Sequence, residues 1–208
     1  IYGPTKGQYS PTSEIGKVTK STPLGSADRP IHPLAFALGC GATFVARTVD
    51  RNIPHMDEML KRASAHRGTA FLEILQNCNV YNDRAWNVIY DKDSKLAYEM
   101  RLEHGKPLVY GPPDARKAVI MEGVTPRVVD AKSVAESALW IHDEKNTNAA
   151  KVLADLFAPE FPVPIGVFVD VDAPIYEDVV LDQEQRAISE RGPGDIAKLL
   201  KSGDTWTI

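Results

Sequence analysis

The stretch LEILQNCNVYND, residues 72–83, sets a cysteine in a polar cluster directly behind an apolar run. Asn77, Asn79, Asn82 and Asp83 surround Cys78. In open α/β sheets, ligands sit off the carboxyl ends of strands, and Cys78 falls just past such an end. Its thiol is therefore either a functional group at a crevice or a small buried hydrophobe, the commoner fate of a single cysteine. Cys40, flanked by Gly39 and Gly41 in an apolar run, reads as a packed core thiol. No second cysteine stands near Cys78, so spacing alone defines no metal site. The histidines, His32, His55, His66, His104 and His142, are scattered and form neither HExxH nor an i, i+4 pair. His55 and His66 fall near the ends of a helical stretch, where surface or capping roles are expected. Glu58, Glu73 and Asp83 have no mate at a spacing that argues general acid–base work. Glu73 lies inside a strand pattern and must face solvent or find a partner.

The elements that position these groups are legible in outline. PLAFALG, from Pro33, reads as a short buried helix stopped by glycine. ATFVART (42–48) is β-branched and aromatic, the pattern of a buried strand. In HMDEMLKRASAHRG (55–68), Met56, Met59, Leu60 and Ala63 share one helical face, and Gly68 ends the run. TAFLEIL (69–75) is a second strand. Strand, helix and strand within about 30 residues is the size of a βαβ unit, so the first part is α/β with a parallel sheet. Further on, KLAYEMRL (95–102), AVIMEG (118–123) and RVVDA (127–131) are expected as short strands. SVAESALWIH (133–142) and NAAKVLADLF (148–157) are expected as helices, and FPVPIGVFVDVD (161–172) as a strand. A last helix runs through Ile196, Leu199 and Leu200, with Trp206 expected to anchor the terminus. The reading divides the chain at residues 1–102 and 103–208, the second part being mixed α+β.

Composition limits the partners. The 208 residues are 43% hydrophobic and 25% charged, with a formal net charge of -4. There is no basic stripe of the kind phosphate backbones require, which argues against a nucleic-acid partner. No apolar run approaches the length that spans a membrane, and no signal-peptide pattern is present. With two cysteines the chain is no disulfide scaffold, and a cytosolic compartment is expected.

The opening, IYGPTKGQYSPTSEIGKVTKSTPLGS, is a long loop with no element before it. It resembles the loop that follows the thiamine-diphosphate motif in β subunits of 2-oxoacid:ferredoxin oxidoreductases. LEILQNCNVYND resembles the strand and Gln-x-Cys-x-x-Tyr-Asn of the same family. The resemblance covers residues 1 to about 90 well and the rest more loosely, like the extended forms that act on 2-oxoglutarate. It implies the C-terminal portion of a longer subunit: the family's CxxC, further cysteine, Gly-Asp-Gly and paired asparagines are not among these residues. It further implies a cytoplasmic enzyme that oxidatively decarboxylates 2-oxoglutarate to succinyl-CoA and reduces ferredoxin, using Mg²⁺-thiamine diphosphate and a 4Fe–4S cluster, active with a partner α subunit. Carried over position by position, Ile1 offers a backbone carbonyl to Mg²⁺, a hard cation that accepts such oxygens. Gly3 lets the backbone approach the diphosphate. Pro4 lines the cofactor and substrate pocket, contributing shape or its carbonyl. Thr5 offers a hydroxyl, and Lys6 meets the distal carboxylate of a diacid substrate or is a solvated loop lysine. Cys78 takes the place of the cluster ligand distant in sequence from the other three. Two other readings stay open at this stage: a cluster-free thiamine-dependent decarboxylase, in which Cys78 is structural, and a non-catalytic assembly module.

Overall fold

From Phe44 to Leu75 the chain forms the expected strand, helix and strand. In the computed structural model, which describes residues 8–204 and 206, these are β1 (Phe44–Val49), α2 (Ile53–Ala65) and β2 (Ala70–Leu75), preceded by α1 (Pro33–Gly39). Asn52 starts α2 earlier than the apolar spacing implies: its side chain accepts from His55 N, and Pro54 occupies the first turn, where a missing N–H costs nothing. β1 and β2 pair in parallel, with Arg47 opposite Glu73. Two further strands complete the sheet in the order β2-β1-β7-β3, with β3 at Glu99–Leu102 and β7 at Val163–Asp170. β7 runs antiparallel to β1 and parallel to β3, so the sheet is mixed rather than purely parallel.

Every residue of β1 is buried, as a strand covered on both faces requires. On one face Val45, Met100 and Phe168 join Leu34 and Leu38 of α1 and Leu153 of α5 (Thr147–Ala154). Against the other face, Phe44, Ala46 and Val167 pack on Met59 of α2. Gly166 is the tight point between β7 and β3: its φ is +132° and a Cβ there would lie 2.7 Å from the Leu102 carbonyl oxygen. A second, antiparallel sheet orders β4 (Val109–Tyr110), β5 (Lys117–Glu122) and β6 (Thr125–Asp130). Strand β7, from beyond residue 102, is thus central to the first sheet.

The described residues fall into two compact units, one reaching Asp172 and one starting at Ala173. In the second, α6 (Tyr176–Arg191) and α7 (Ile196–Leu200) carry no buried residue. The spacing of Ile196, Leu199 and Leu200 marks α7 in the sequence, whereas α6 has no apolar stripe to betray it. Good helix formers and local pairs such as Arg186–Asp182 support it instead.

Four expectations need correction. Residues 95–102 are not one strand: α4 (Lys92–Tyr98) precedes β3. Lys92, Lys95, Leu96 and Ala97 favour helix, and Asp93 suits its first turn. Residues 133–142 are not a helix but short 3₁₀ turns at Ala131–Ser133 and Glu136–Ala138, followed by extended chain. There tertiary bonds override propensity, with Leu108 N donating to Trp140 O and His142 N to Lys106 O. Cys40 is exposed, not packed, because α1 ends on it and Gly41 turns the chain away. Trp206, expected as an anchor, is 84% exposed.

Candidate functional site

Both parallel strands, β1 and β2, run out at the same edge, and the polar groups gather there. β2 leads into the Gln76–Arg84 loop. Asn77 clasps that loop: its Nδ2 donates to Asp83 Oδ1 at 2.9 Å, and its Oδ1 accepts from Arg84 N at 2.8 Å. The clasp holds Arg84 in the left-handed region at φ 65°, strained for a residue with a Cβ. Asn82 N donates to Cys78 O at 2.9 Å, so residues 78–82 close as a turn. The Trp86 indole N–H donates to Gln76 O, and its ring packs edge-on against Phe157. Beneath the loop, the Tyr90 hydroxyl donates to Asp50 and Leu75 O, and the Arg51 guanidinium lies 4.3 Å over the Tyr90 ring. Burial, with Asp50 behind it, pushes the Tyr90 phenol well above its ordinary range.

Cys78 is half-buried inside this turn. The backbone N–H of Tyr81, aided by those of Val80 and Asn82, holds its thiol below the ordinary value. Hydrogen bonds to a thiolate favour the charged form, which is the form that binds metal. The Asn77 hydrogen bond likewise lowers Asp83. Among the described residues no group of three or more His, Cys, Asp or Glu side chains could hold a metal ion. Cys78 can thus supply one thiolate, with any companions coming from elsewhere. The other sequence-derived candidates, Ile1, Gly3, Pro4, Thr5 and Lys6, lie outside the described residues.

The histidines prove more engaged than helix-end positions imply. His55 Nδ1 shares a 2.8 Å hydrogen bond with the Thr48 hydroxyl. Burial first, then the Arg101 charge, lowers its pKa to about 4 against an opposing Glu99. His66 bridges Thr43 Oγ1 (2.8 Å) and Asp170 Oδ1 (3.0 Å), while Arg62 binds Glu144 in a fork and also reaches Asp170. Burial raises the Asp170 carboxyl, but Arg62, Lys145 and His66 together hold it below its usual range. This network ties α2 to β7. Nothing in the sequence flags it, since its partners are up to 108 residues apart.

Residues 1–74 match the family model "Thiamine pyrophosphate enzyme, C-terminal TPP binding domain". Over its whole length the chain is 37% identical to "2-oxoglutarate oxidoreductase subunit KorB" of Mycobacterium tuberculosis, of which it covers 57%. A 92-residue stretch is 44% identical to "2-oxoacid:ferredoxin oxidoreductase subunit beta" of Saccharolobus solfataricus, covering 44% of this chain and 30% of that one. The chain thus spans little more than half the length of the first relative and less of the second. Among solved structures, "2-oxoglutarate:ferredoxin oxidoreductase from Magnetococcus marinus with 2-oxoglutarate, coenzyme A and succinyl-CoA bound" superposes with a TM-score of 0.60 at 24% identity, over 99% of this chain and 55% of that one. That likeness establishes the fold.

Proposed function

We propose that the chain is part of a β subunit of a 2-oxoacid:ferredoxin oxidoreductase, as its likeness to such subunits supports, and that it shares in the oxidative decarboxylation of 2-oxoglutarate to succinyl-CoA in the cytoplasm, with ferredoxin as electron acceptor and an α subunit as obligate partner. The observation that carries this reading is the Cys78 turn. A half-buried sulfur sits off the carboxyl end of β2, with backbone N–H groups of residues 80–82 turned to it. That donor chemistry fits one thiolate of a 4Fe–4S cluster, whose other ligands need not be near in sequence.

When bound, thiamine diphosphate supplies the carbon chemistry and the cluster accepts electrons one at a time. The chain's own residues bind and orient. Ile1 would give its carbonyl to Mg²⁺, and Gly3, Pro4 and Thr5 would line the diphosphate and the reacting centre. Lys6 would pair with the distal carboxylate of the substrate. Asn77 fixes the Cys78 turn, and the N–H groups around the sulfur offset its negative charge. In this reading residues 1–102 carry the cofactor-binding part and 103–208 form an extension.

The test is ferredoxin reduction by the assembled complex, supplied with thiamine diphosphate, Mg²⁺ and coenzyme A. Turnover is expected with 2-oxoglutarate well above that with pyruvate, and Lys6→Ala should raise KM for 2-oxoglutarate more than it lowers kcat. Equal or better turnover with pyruvate would remove the diacid assignment.

A further inference from the structure

At the junction of the two sheets the chain turns from β3 into β4, and a cleft of about 450 Å³ opens there. β3 alternates: Met100 and Leu102 point into the core, while Glu99 and Arg101 line the cleft. The Glu99 side chain is only 7% exposed. It contacts Arg101 at 2.6 Å and Lys95 at 3.5 Å, so one carboxylate serves two cations. Lys106 and Arg116 also line the cleft. Among the described residues neither side chain has a hydrogen-bond or ion-pair partner, and the remaining acid, Glu103, has none either.

Both free cations sit on fixed backbone. Lys106 N donates to Glu103 O, and its own carbonyl accepts from His142 N at 2.8 Å. His142 is itself buried, with Nε2 2.7 Å from Val167 O. Arg116 O accepts from Ala131 N at 3.0 Å. The loop that presents Arg116 closes through Gly111, at φ +94°, where a Cβ would lie 2.8 Å from Ala115 O. Lys95, Arg101, Lys106 and Arg116 against Glu99 and Glu103 leave a surplus of two positive charges in a chain whose net charge is -4. A concave site of this size with a few convergent charges suits a small ligand. Two unpaired cations lining one cleft match a diphosphate better than a single carboxylate. Leu96, Pro107 and Val109 supply an apolar wall for a flat ring.

We propose that this cleft binds a nucleoside diphosphate, with its phosphates on Lys106 and Arg116 and its base against Leu96, Pro107 and Val109. The inference stands apart from the cluster and decarboxylation reading, because no residue is shared with it.

The test is calorimetric titration of ADP into the intact complex at low ionic strength, with thiamine diphosphate and Mg²⁺ already saturating. Saturable binding is expected that weakens with added salt. It should weaken at least about tenfold in Lys106→Ala/Arg116→Ala, and tighten about two- to threefold in Glu103→Gln, which removes a repelling charge. These side chains are exposed, so circular dichroism should show both variants folded. Coenzyme A, which shares the diphosphate, is the competing arm. Displacement of ADP by coenzyme A at far lower concentration than by ADP itself would overturn the assignment and give the cleft to the coenzyme. Absence of saturable ADP binding, or binding unchanged in the double variant, would overturn it altogether.

Discussion

Arg47 and Glu73 face each other across the parallel β1–β2 pair, with Arg47 Nε 2.5 Å from Glu73 Oε2 and side chains 4% and 15% exposed. The guanidinium also lies over Phe157 and Phe168, at 5.6 and 5.5 Å from their centroids. Arginine is thus the more deeply desolvated partner, and losing Glu73 strands a charge that water cannot reach. Glu73→Leu should cost about 3 kcal/mol, Arg47→Met less, and the double variant should recover much of the loss. A denaturant double-mutant cycle measures this. Equal, additive losses would mean the pair is not coupled.

His55 sets a pH dependence. Its pKa drops from 6.5 to about 4 on folding. The unfolded chain therefore takes up a proton between those values while the folded chain does not, and stability falls as pH is lowered through that window. Above 6.5 both states are neutral and the effect vanishes. His55→Gln should flatten the stability profile between pH 6.5 and 4, read from urea midpoints at each pH. An unchanged slope would show that other groups govern the window.

Gly166 tests the close approach of β7 and β3. With φ at +132° and a Cβ position 2.7 Å from a backbone oxygen, Gly166→Ala has neither room nor conformation. A loss of about 2 kcal/mol or more is expected, because the obstacle is backbone rather than a movable side chain. A melting temperature within experimental error of the parent would contradict that geometry.

The Asn77 clasp should show in the chemistry of Cys78. With the backbone N–H groups of residues 80–82 favouring the thiolate, the cluster-free protein should be alkylated at Cys78 at lower pH than an ordinary thiol. Asn77→Ala removes the two bonds from residue 77 and leaves only the Arg84 N–H donating to Asp83 Oδ1 at 3.0 Å, which loosens the turn and should move the alkylation midpoint upward. Peptide mapping after pulsed iodoacetamide resolves the two. If the midpoint does not move, the clasp does not position the sulfur.

How far these features could be read from the sequence depends on the range of the interactions that make them. The β1–α2–β2 unit was legible because β-branched runs and a glycine stop announce themselves locally, and Cys78 because it stands directly behind such a run. Glu73's need for a partner could be stated, but not that Arg47 would meet it. Residues 133–142 misled because their helical composition is overruled by bonds to Leu108 and Lys106, and Lys92–Tyr98 because its helix runs without a break into β3. α6 escaped because it buries nothing. The Thr43–His66–Asp170 chain was out of reach, since its members meet only once β7 enters the sheet beside β1.

The measurement that bears most directly on the function is low-temperature electron paramagnetic resonance of the reduced assembled complex, alongside its iron content, for the parent and for Cys78→Ser. Cys78→Ser should keep the parent's circular dichroism and subunit composition but lose or alter the reduced-cluster signal and lose most of the cluster iron. Parent-like iron content and an unchanged signal in Cys78→Ser would contradict this expectation, and would leave Cys78 a structural thiol in a turn.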